Sequence, residues 1–253
     1  MNLILHLPPN WHHRHFSETA STMLLLHDRR WMDRPEEFVL VTADFQTAGR
    51  GQRGTHWESA PEANLLFGIM CYPSFLDADK QFLLSEVQAL AVARALSDHI
   101  DGISVKWPND VYAGDRKICG MLLEHDLCGT HIATTITGVG LNVNQPHFES
   151  DAPNPVSLFQ LTGHTVDRAA LMIDIIERFE HDYRRLQNGL SAKVHADYRS
   201  LLYRGKGLHR FAEPGQKPFY AAIDDVLPDG HMRLLDENGA IRQYAFKEVA
   251  FVI

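Results

Sequence analysis

The stretch that most constrains how this 253-residue chain can fold is HIATTITGVGLNV, residues 131–143. Its threonine, isoleucine and valine side chains are branched at Cβ, and such residues favour the extended backbone of a β-strand. Two other apolar runs, FVLVTADF (residues 38–45) and LLFGIMCY (residues 65–72), have the same character. We therefore predict buried strands at all three segments, with residues 131–143 as a central strand of the sheet.

Two longer segments carry their apolar residues at helical spacing instead. In the first, residues 77–100, the repeating apolar positions are Phe82, Leu83, Val87, Leu90, Ala91 and Leu96. In the second, which begins at Asp167 and stops at Gly189, they are Leu171, Ile175, Phe179, Tyr183 and Leu186. Both segments are predicted helices, and glycine is a typical residue just after a helix ends.

The remaining segments predict further β-structure. Residues 104–127 are expected to form two strands joined by the turn Ala113-Gly114-Asp115. After residue 205, short β-like pieces alternate with the turn sequences Pro214-Gly215, Pro228-Asp229-Gly230 and Asn238-Gly239. We predict an α+β fold in two domains: a mixed sheet with helices over residues 1–205, and a small β-barrel over residues 206–253.

Composition and charge restrict the class of protein. Hydrophobic residues make up 45% and charged residues 22% of the chain, as in ordinary soluble enzymes. The net charge of −8 provides no basic field for DNA, RNA or an anionic membrane. Three cysteines without C-x-x-C spacing argue against disulfides and structural zinc and for a reducing compartment. Because there is neither a signal-peptide pattern nor an apolar run of membrane-spanning length, we expect a cytoplasmic protein.

One loop concentrates glycine, arginine and tryptophan within nine residues: GRGQRGTHW, residues 49–57. Glycines so close together indicate backbone that approaches a ligand, and the two arginines indicate an anion such as phosphate or carboxylate. Plain turn glycines are the alternative. Trp57 is either a wall of a site or part of the core.

The segment KWPNDVYAGDRKICGMLLE, residues 106–124, supplies further charge. Lys106 and Lys117 are point charges suited to phosphate, on neighbouring strands of the predicted hairpin. Asn109 and Asp110 suit a hydrated Mg²⁺ that also meets phosphate oxygens. Considered alone, Lys117 would be interpreted as an ordinary hairpin lysine.

Two more segments complete the candidate set. GVGLNVN, residues 138–144, has two glycines that permit close approach of a flat ligand. SETASTM, residues 17–23, is rich in hydroxyls, and its Ser21 and Thr22 either bind a polar head group or cap a helix. The histidines of WHHRH, residues 11–15, alternate between the two faces of a strand, which favours edge-strand residues over a metal site.

Together these motifs resemble those of the biotin–protein ligases. The family pattern runs E-T-x-S-T, Q-x-x-G-R-G-R/Q-x-G-x-x-W, K-W-P-N-D, G-x-K-x-x-G-I-L-x-E and G-x-G-x-N, and counterparts of all five elements follow in that order from Glu18 to Asn144. The resemblance implies a catalytic domain of the class II aminoacyl-tRNA synthetase/biotin ligase type, followed by an SH3-like barrel. It also implies that biotin is activated by ATP as biotinyl-adenylate and passed to a lysine of a biotin carboxyl carrier protein, such as that of acetyl-CoA carboxylase.

The resemblance also implies roles for individual residues. Lys117 would bridge the biotin carboxylate and the α-phosphate, with Arg50 and Arg53 on the loop that closes over the adenylate. The implied biotin-binding residues are Ser21, Thr22, Gln46, Gly49, Arg50, Lys117, Gly120, Gly138 and Gly140. The implied ATP-binding residues are Arg50, Gln52, Arg53, Trp57, Asn109, Lys117 and Asn142. Asn109 and Asp110 would serve Mg²⁺ and the ATP phosphates.

Two positions depart from the family pattern. Many members have an arginine in place of Gln52, where it helps retain the adenylate, and a further basic residue in place of Thr55. Glutamine keeps a hydrogen-bond donor but lacks the charge. Neither departure removes a group that the chemistry requires.

Two other functions are alternatives to this one. Lipoate ligases and octanoyl transferases share the broad fold, but they lack the glycine-arginine loop with its tryptophan. Some members of the biotin ligase family are also transcriptional repressors; here about 17 residues precede ETAST, too few for a three-helix DNA reader. We therefore expect the short, monofunctional form, with no DNA partner and with a homodimer left open.

Overall fold

The structure is a computed structural model that describes residues 5–28, 38–49, 51, 57–150 and 153–252. The strands in these ranges are β1 (Trp11–Thr19), β2 (Phe38–Gln46), β3 (Leu65–Cys71), β4 (Ile103–Lys106), β5 (Asp110–Ala113), β6 (Arg116–Cys128), β7 (His131–Leu141), β8 (His209–Ala212), β9 (Phe219–Val226), β10 (Met232–Asp236), β11 (Ile241–Tyr244) and β12 (Ala250–Phe251). The α-helices are α1 (Thr22–Leu26), α2 (Phe82–Ser97), α3 (Leu158–Thr162), α4 (Arg168–Gln187) and α5 (Ser191–Ser200).

Strands β1 to β7 form one mixed sheet in the order β1-β2-β3-β7-β6-β5-β4. β1 is parallel to β2, whereas every other neighbouring pair in this sheet is antiparallel. The predicted strands at residues 38–45, 65–72 and 131–143 are confirmed as β2, β3 and β7. β7 lies in the middle of the order, as its β-branched sequence predicted.

Helices α2, α4 and α5 share one hydrophobic cluster with the sheet. The five apolar positions predicted for one face of α4 are all buried. The Asp167 side chain caps that helix, accepting from the N–H of Ala169 at 2.8 Å. At the other end, Gly189 has φ of +75°, a left-handed conformation that suits glycine. Both predicted helices are therefore confirmed, with α2 shorter than the segment proposed for it.

The other face of the sheet carries the short helix α1. Its Leu26 is fully buried in a second cluster with Val39, Val41, Met70 and Ile136. The side chain of Leu26 also occupies the space above Gly68, where a Cβ would lie 2.7 Å from Leu26 Cδ1. The helix and the sheet are therefore in close contact at a position that only glycine permits.

Residues after 205 form a second, antiparallel sheet in the order β11-β10-β9-β8-β12. The predicted turns at Gly215, Gly230 and Gly239 are present, and each of these glycines has a positive φ. The second sheet is joined to the first part of the chain by hydrogen bonds, because Phe82 N–H donates to Pro228 O and Trp107 Nε1 to Gly230 O, both at 3.0 Å.

The segment at residues 104–127 departs from the single predicted hairpin. The predicted turn at Gly114 is present between β5 and β6, but a second turn at 107–109 divides the first strand into β4 and β5. Proline has no N–H to donate to a strand ladder, so Pro108 favours this break. Lys106 and Lys117 consequently lie on β4 and β6, with β5 between them.

The histidines of β1 are edge-strand residues, as predicted. His13 Nε2 and His15 Nδ1 lie 2.8 Å and 3.0 Å from Thr42 Oγ1, and His15 Nε2 lies 3.1 Å from Asp44 Oδ2. Burial, followed by the neighbouring His15, lowers the pKa of His13 to about 4. Within the described ranges there is no group of three or more His, Cys, Asp or Glu side chains that could hold a metal.

Cys119 is fully buried beside Gly120, and burial raises the pKa of its thiol, which is typical of an unreactive core residue. Among the described residues, no helix is both long and apolar enough to span a membrane.

Candidate active site

A cavity of about 790 Å³ lies between the end of β2, the start of α1, strands β4 to β7 and the second sheet. The sequence candidates that line it are Ser21, Thr22, Gln46, Trp57, Asn109, Asp110, Lys117, Gly120, Gly138, Gly140 and Asn142. Gly49 lies beside it, where a Cβ would be 3.3 Å from Gln46 Nε2. Arg50, Gln52 and Arg53 lie outside the described residues. The fold thus brings separate sequence motifs to one cavity, while the role of each residue stays a prediction.

A row of directly opposed residues crosses four strands at this cavity. Lys106 on β4 is paired with Asp110 on β5. Asp110 is paired with Gly120 on β6, which is itself paired with Gly140 on β7. Opposed residues in neighbouring strands project from the same face of a sheet. Two charged side chains and two glycines therefore meet on the face that lines the cavity.

Lys117 is held in place by both its side chain and its backbone. Its Nζ lies 2.7 Å from Asp110 Oδ1. Its backbone N–H donates to Asn154 O, and its carbonyl accepts from the N–H of Val156, both at 2.9 Å. The side chain is 31% exposed, so the ammonium is ion-paired and still accessible from the cavity.

The two glycines of the row accommodate the indole of Trp57. A Cβ at Gly120 would lie 3.0 Å from Trp57 Cζ3, and a Cβ at Gly140 would overlap the ring, with Nε1 only 2.6 Å away. Lys117 Nζ lies 5.7 Å from the centroid of the same ring. Trp57 is thus a wall of the cavity rather than a residue of the main core.

Gly138, two residues before Gly140 on β7, accommodates a different side chain. A Cβ there would lie 2.6 Å from Met23 Cγ and 2.8 Å from its sulfur. The groups that lie against these two glycines are the protein's own side chains, and close approach of a ligand to them stays a prediction. Met23 also lines the cavity, so it forms part of the boundary beneath α1.

The hydroxyl cluster of residues 17–23 is placed by Gln46 at the end of β2. The Gln46 side-chain oxygen accepts from the Thr22 N–H at 2.7 Å and from the Thr22 hydroxyl at 3.1 Å. Ser21 is the N-cap residue of α1, but its side chain makes no capping hydrogen bond. Ser21 lines the cavity and its side chain does not cap the helix, which favours the ligand alternative over the cap.

Asn109 and Asp110 provide oxygen atoms at the turn between β4 and β5. The Asn109 side-chain amide donates to Met121 O, which leaves its carbonyl oxygen for another partner. Asp110 is paired with Lys117 through one carboxylate oxygen. An amide oxygen and a carboxylate suit Mg²⁺, which usually takes one or two protein ligands and completes its shell with water and phosphate. These residues fit a cation that arrives with a phosphorylated ligand.

Asn142 lies at the end of β7 and is 2% exposed. Its side-chain nitrogen donates to Val156 O at 3.0 Å, and its backbone N–H donates to Ile118 O at 2.9 Å. Its side-chain oxygen is buried and has no hydrogen-bond partner among the described residues. An unpaired buried acceptor is costly, so this oxygen is available to a ligand donor.

Lys106 is the second lysine of the cavity. Its Nζ donates to Tyr112 Oη at 2.9 Å and lies 5.6 Å from the centroid of Phe251. Burial lowers the pKa of this ammonium, although the charge of Asp110 opposes the shift. Lys106 is therefore a partly desolvated cation, and such a cation interacts more strongly with an anionic ligand than one in water.

Two groups of lining residues were missed in the sequence. One group comes from the C-terminal part of the chain: Phe246, Lys247, Val249, Ala250 and Phe251. The other includes Glu58 and Ser150, and it is organised by the Glu58 carboxylate, which accepts from the backbone N–H groups of residues 149 and 150 at 2.9 Å. Partial burial raises the pKa of Glu58, but hydrogen bonds from the Ser150 side chain, from these two backbone N–H groups and from Gln145 outweigh it, and the net shift is downward. Neither group carries a motif that could have revealed it.

With this geometry established, comparison with known proteins identifies the family. Residues 16–142 match the sequence profile of the Biotin/lipoate A/B protein ligase family. The chain belongs to this family. The matched range contains every sequence candidate described for the cavity.

Individual relatives agree with this assignment. The chain is 35% identical to the biotin--[acetyl-CoA-carboxylase] ligase of Paracoccus denitrificans over 79% of this chain and 82% of that protein. It is 32% identical to the bifunctional ligase/repressor BirA of Bacillus subtilis over 65% of this chain, and it spans only 51% of that longer protein. Its fold resembles that of the biotin protein ligase from Aquifex aeolicus in complex with biotin and ATP, with a TM-score of 0.76 and 24% identity, covering 94% of this chain and 97% of that one.

Proposed function

We propose that this protein is an ATP-dependent biotin–protein ligase. The observation that supports this most directly is that one cavity brings together the hydroxyl cluster of residues 17–23, the glycines at 120 and 140, Lys117 and the Asn109-Asp110 pair. Relatives from Paracoccus denitrificans and Mycobacterium tuberculosis are both named biotin--[acetyl-CoA-carboxylase] ligase, and the chain covers 82% of each. The cavity volume is in the range usual for small-molecule sites.

The proposed first step joins two anions. A biotin carboxylate oxygen attacks the α-phosphorus of ATP, the bond to the β-phosphate oxygen breaks, and pyrophosphate leaves. Lys117 would place its ammonium between carboxylate and α-phosphate, exchanging its contact with Asp110 for the charge that develops there. Asn109 and Asp110 would hold Mg²⁺, which neutralises phosphate charge when bound.

The proposed second step transfers the biotinyl group. A neutral lysine amine of a biotin carboxyl carrier protein attacks the acyl carbon, the bond to the AMP oxygen breaks, and the amine loses a proton. We assign Ser21, Thr22, Gln46 and Gly138 to the biotin end of the cavity, and Trp57 and Asn142 to the nucleotide end. Arg50, Gln52 and Arg53 retain the roles implied by their loop.

Incubation with biotin, ATP, Mg²⁺ and a biotin carboxyl carrier domain tests this proposal. Mass spectrometry should detect ATP-dependent addition of one biotinyl group to a carrier lysine, and none when ATP is omitted. Use of lipoate or octanoate instead of biotin would assign the protein to another branch of the family.

The proposal extends to the domain boundary, the location in the cell, DNA binding and the oligomeric state. We propose that residues 1–205 form the catalytic domain and that residues 206–253 close into an SH3-like barrel, supported by the second antiparallel sheet. We also propose a cytoplasmic location, which agrees with the three free cysteines.

The net charge of −8 supports action without specific DNA binding, and a gel-shift titration at physiological salt tests this. A homodimer through a sheet edge would use β1 or β4, and light scattering with and without biotin and ATP tests it.

A further inference from the structure

The turn before β12 holds a lysine in a strained backbone conformation beside the cavity. Lys247 has φ of +72°, in the left-handed region that residues with a Cβ seldom adopt. Such conformations persist only where the surrounding structure imposes them, and they concentrate at functional sites. The side chain of Lys247 is exposed and lines the cavity.

The turn that presents Lys247 is fixed from several directions. The backbone N–H of Ala245 donates to the Glu248 carboxylate at 2.8 Å, and the N–H of Glu248 donates to Ala245 O at 3.1 Å. Phe246 packs edge-on against Trp107, with ring centroids 6.2 Å apart. The turn is thereby held against the strand connection that carries Asn109.

Lys247 differs from the other two lysines of the cavity in its partners. Lys117 is paired with Asp110, and Lys106 donates to Tyr112. Lys247 Nζ lies 5.5 Å from the Phe246 ring centroid, and no carboxylate lies within ion-pair distance of it in the described part of the chain. Among the residues that the structure describes, it is a cation without a neutralising partner at the edge of a cavity, in a protein of net charge −8.

We propose that Lys247 binds the terminal phosphates of the nucleotide and the pyrophosphate that leaves. This inference rests on the proposed function, in which the Lys117 ammonium contacts the α-phosphate of ATP. A triphosphate whose α-phosphate is bound by Lys117 carries further negative charge on its β- and γ-phosphates. These phosphates need additional cations on the solvent side of the cavity. A flexible ammonium on a rigid turn provides a point charge suited to that end.

Two substitutions separate the charge from the strained backbone. Lys247→Gly removes the ammonium and suits the positive φ, so the variant should melt at the wild-type temperature or above. Lys247→Arg keeps the charge. Lys217→Ala, which removes an exposed lysine that does not line the cavity, is the matched control.

Isothermal titration with ATP, pyrophosphate and AMP provides the test. We expect Lys247→Gly to weaken binding of ATP and pyrophosphate by roughly 5- to 30-fold, as for one partly exposed charge-assisted contact. Binding of AMP should be unchanged, and both Lys247→Arg and the Lys217→Ala control should bind all three like wild type. Unchanged ATP affinity in Lys247→Gly, or a defect confined to the KM for the carrier protein, would overturn the inference. Failure of wild type to bind ATP would instead refute the proposed function.

Discussion

The floor of the cavity and its C-terminal wall border the same space but are built differently. The floor is the row of opposed residues Lys106, Asp110, Gly120 and Gly140 on β4 to β7. Its two glycines, on β6 and β7, are directly paired with each other. The wall consists of Phe246, Lys247, Val249, Ala250 and Phe251, which reach the cavity only because the second sheet packs on the first. The floor is therefore fixed by strand pairing, whereas the wall depends on contacts between two sheets.

The largest expected effect comes from the floor. Lys117→Ala should lower the rate of biotin-dependent pyrophosphate release by about 100- to 1000-fold, because a preorganised charge at the reacting phosphate contributes roughly 2.7 to 4 kcal/mol. The partly exposed ion pair with Asp110 contributes little to stability, so the variant should remain folded by circular dichroism. Lys193→Ala, which removes an exposed lysine of α5, is the control. Near-normal pyrophosphate release from folded Lys117→Ala would refute the assigned role.

A smaller effect is expected where the floor meets Trp57. Gly140→Ala places a methyl group within the indole, so it should lower the free energy of unfolding by about 1 to 3 kcal/mol and weaken biotin binding. Adding Trp57→Ala removes the overlap. In a double-mutant cycle measured by urea unfolding, Gly140→Ala should therefore lower the free energy of unfolding much less in the Trp57→Ala background than in the wild-type background. Equal costs in both backgrounds would show that the two residues do not share this space.

The smallest effect concerns the packing of the second sheet, which carries the wall, on the helices of the first domain. His195 Nδ1 lies 2.7 Å from Glu86 Oε1 on α2, and its Nε2 lies 2.9 Å from Asp225 Oδ1 on β9. The hydrogen bond with Glu86, followed by the other contacts with these carboxylates, raises the pKa of His195 to about 8, although burial opposes the shift. Arg199 and Arg233 also approach Asp225, at 3.5 Å and 4.0 Å.

The pKa of His195 is higher in the folded state than in the unfolded state. Its contribution to the free energy of unfolding is therefore fully present below pH 6.5 and is lost as the pH rises through about 8. After allowance for solvent screening, the contribution is on the order of 1 kcal/mol. Urea unfolding of wild type and His195→Asn at pH 6 and pH 9 tests this. The wild-type advantage should be present at pH 6 and absent at pH 9; an equal advantage at both values would contradict it.

Sequence patterns predicted the parts of the molecule whose determinants are local. The β-branched run of β7 and the apolar face of α4 specify burial within a single element. Gly138 and Gly140 predicted close approach of a flat ligand, which stays a prediction; the pattern did not predict that Met23 and Trp57 would lie against them.

The elements that escaped prediction depend on pairing between distant segments. The extra turn at residues 107–109 separates β4 from β5, and it is stabilised by contacts of Trp107 with Gly230 and Phe246. Lys247 likewise owes its position to the turn that Glu248 closes onto Ala245 and to the packing of Phe246 on Trp107 rather than to a motif. The contacts of Trp107 with Gly230 and Phe246 join residues more than 100 positions apart, and no local spacing encodes them.

The row that joins Lys106, Asp110, Gly120 and Gly140 also limits how the gene can change in length. Side chains alternate between the two faces of a strand, so one inserted or deleted residue within β5, β6 or β7 would turn every following position to the opposite face. The glycines would then face the helices and bulkier neighbours would face the cavity. Lys117 and Gly120, three residues apart, border the same cavity only because the pairing of β5 with β6 shifts register between them, so this irregularity must be kept together with the alternation.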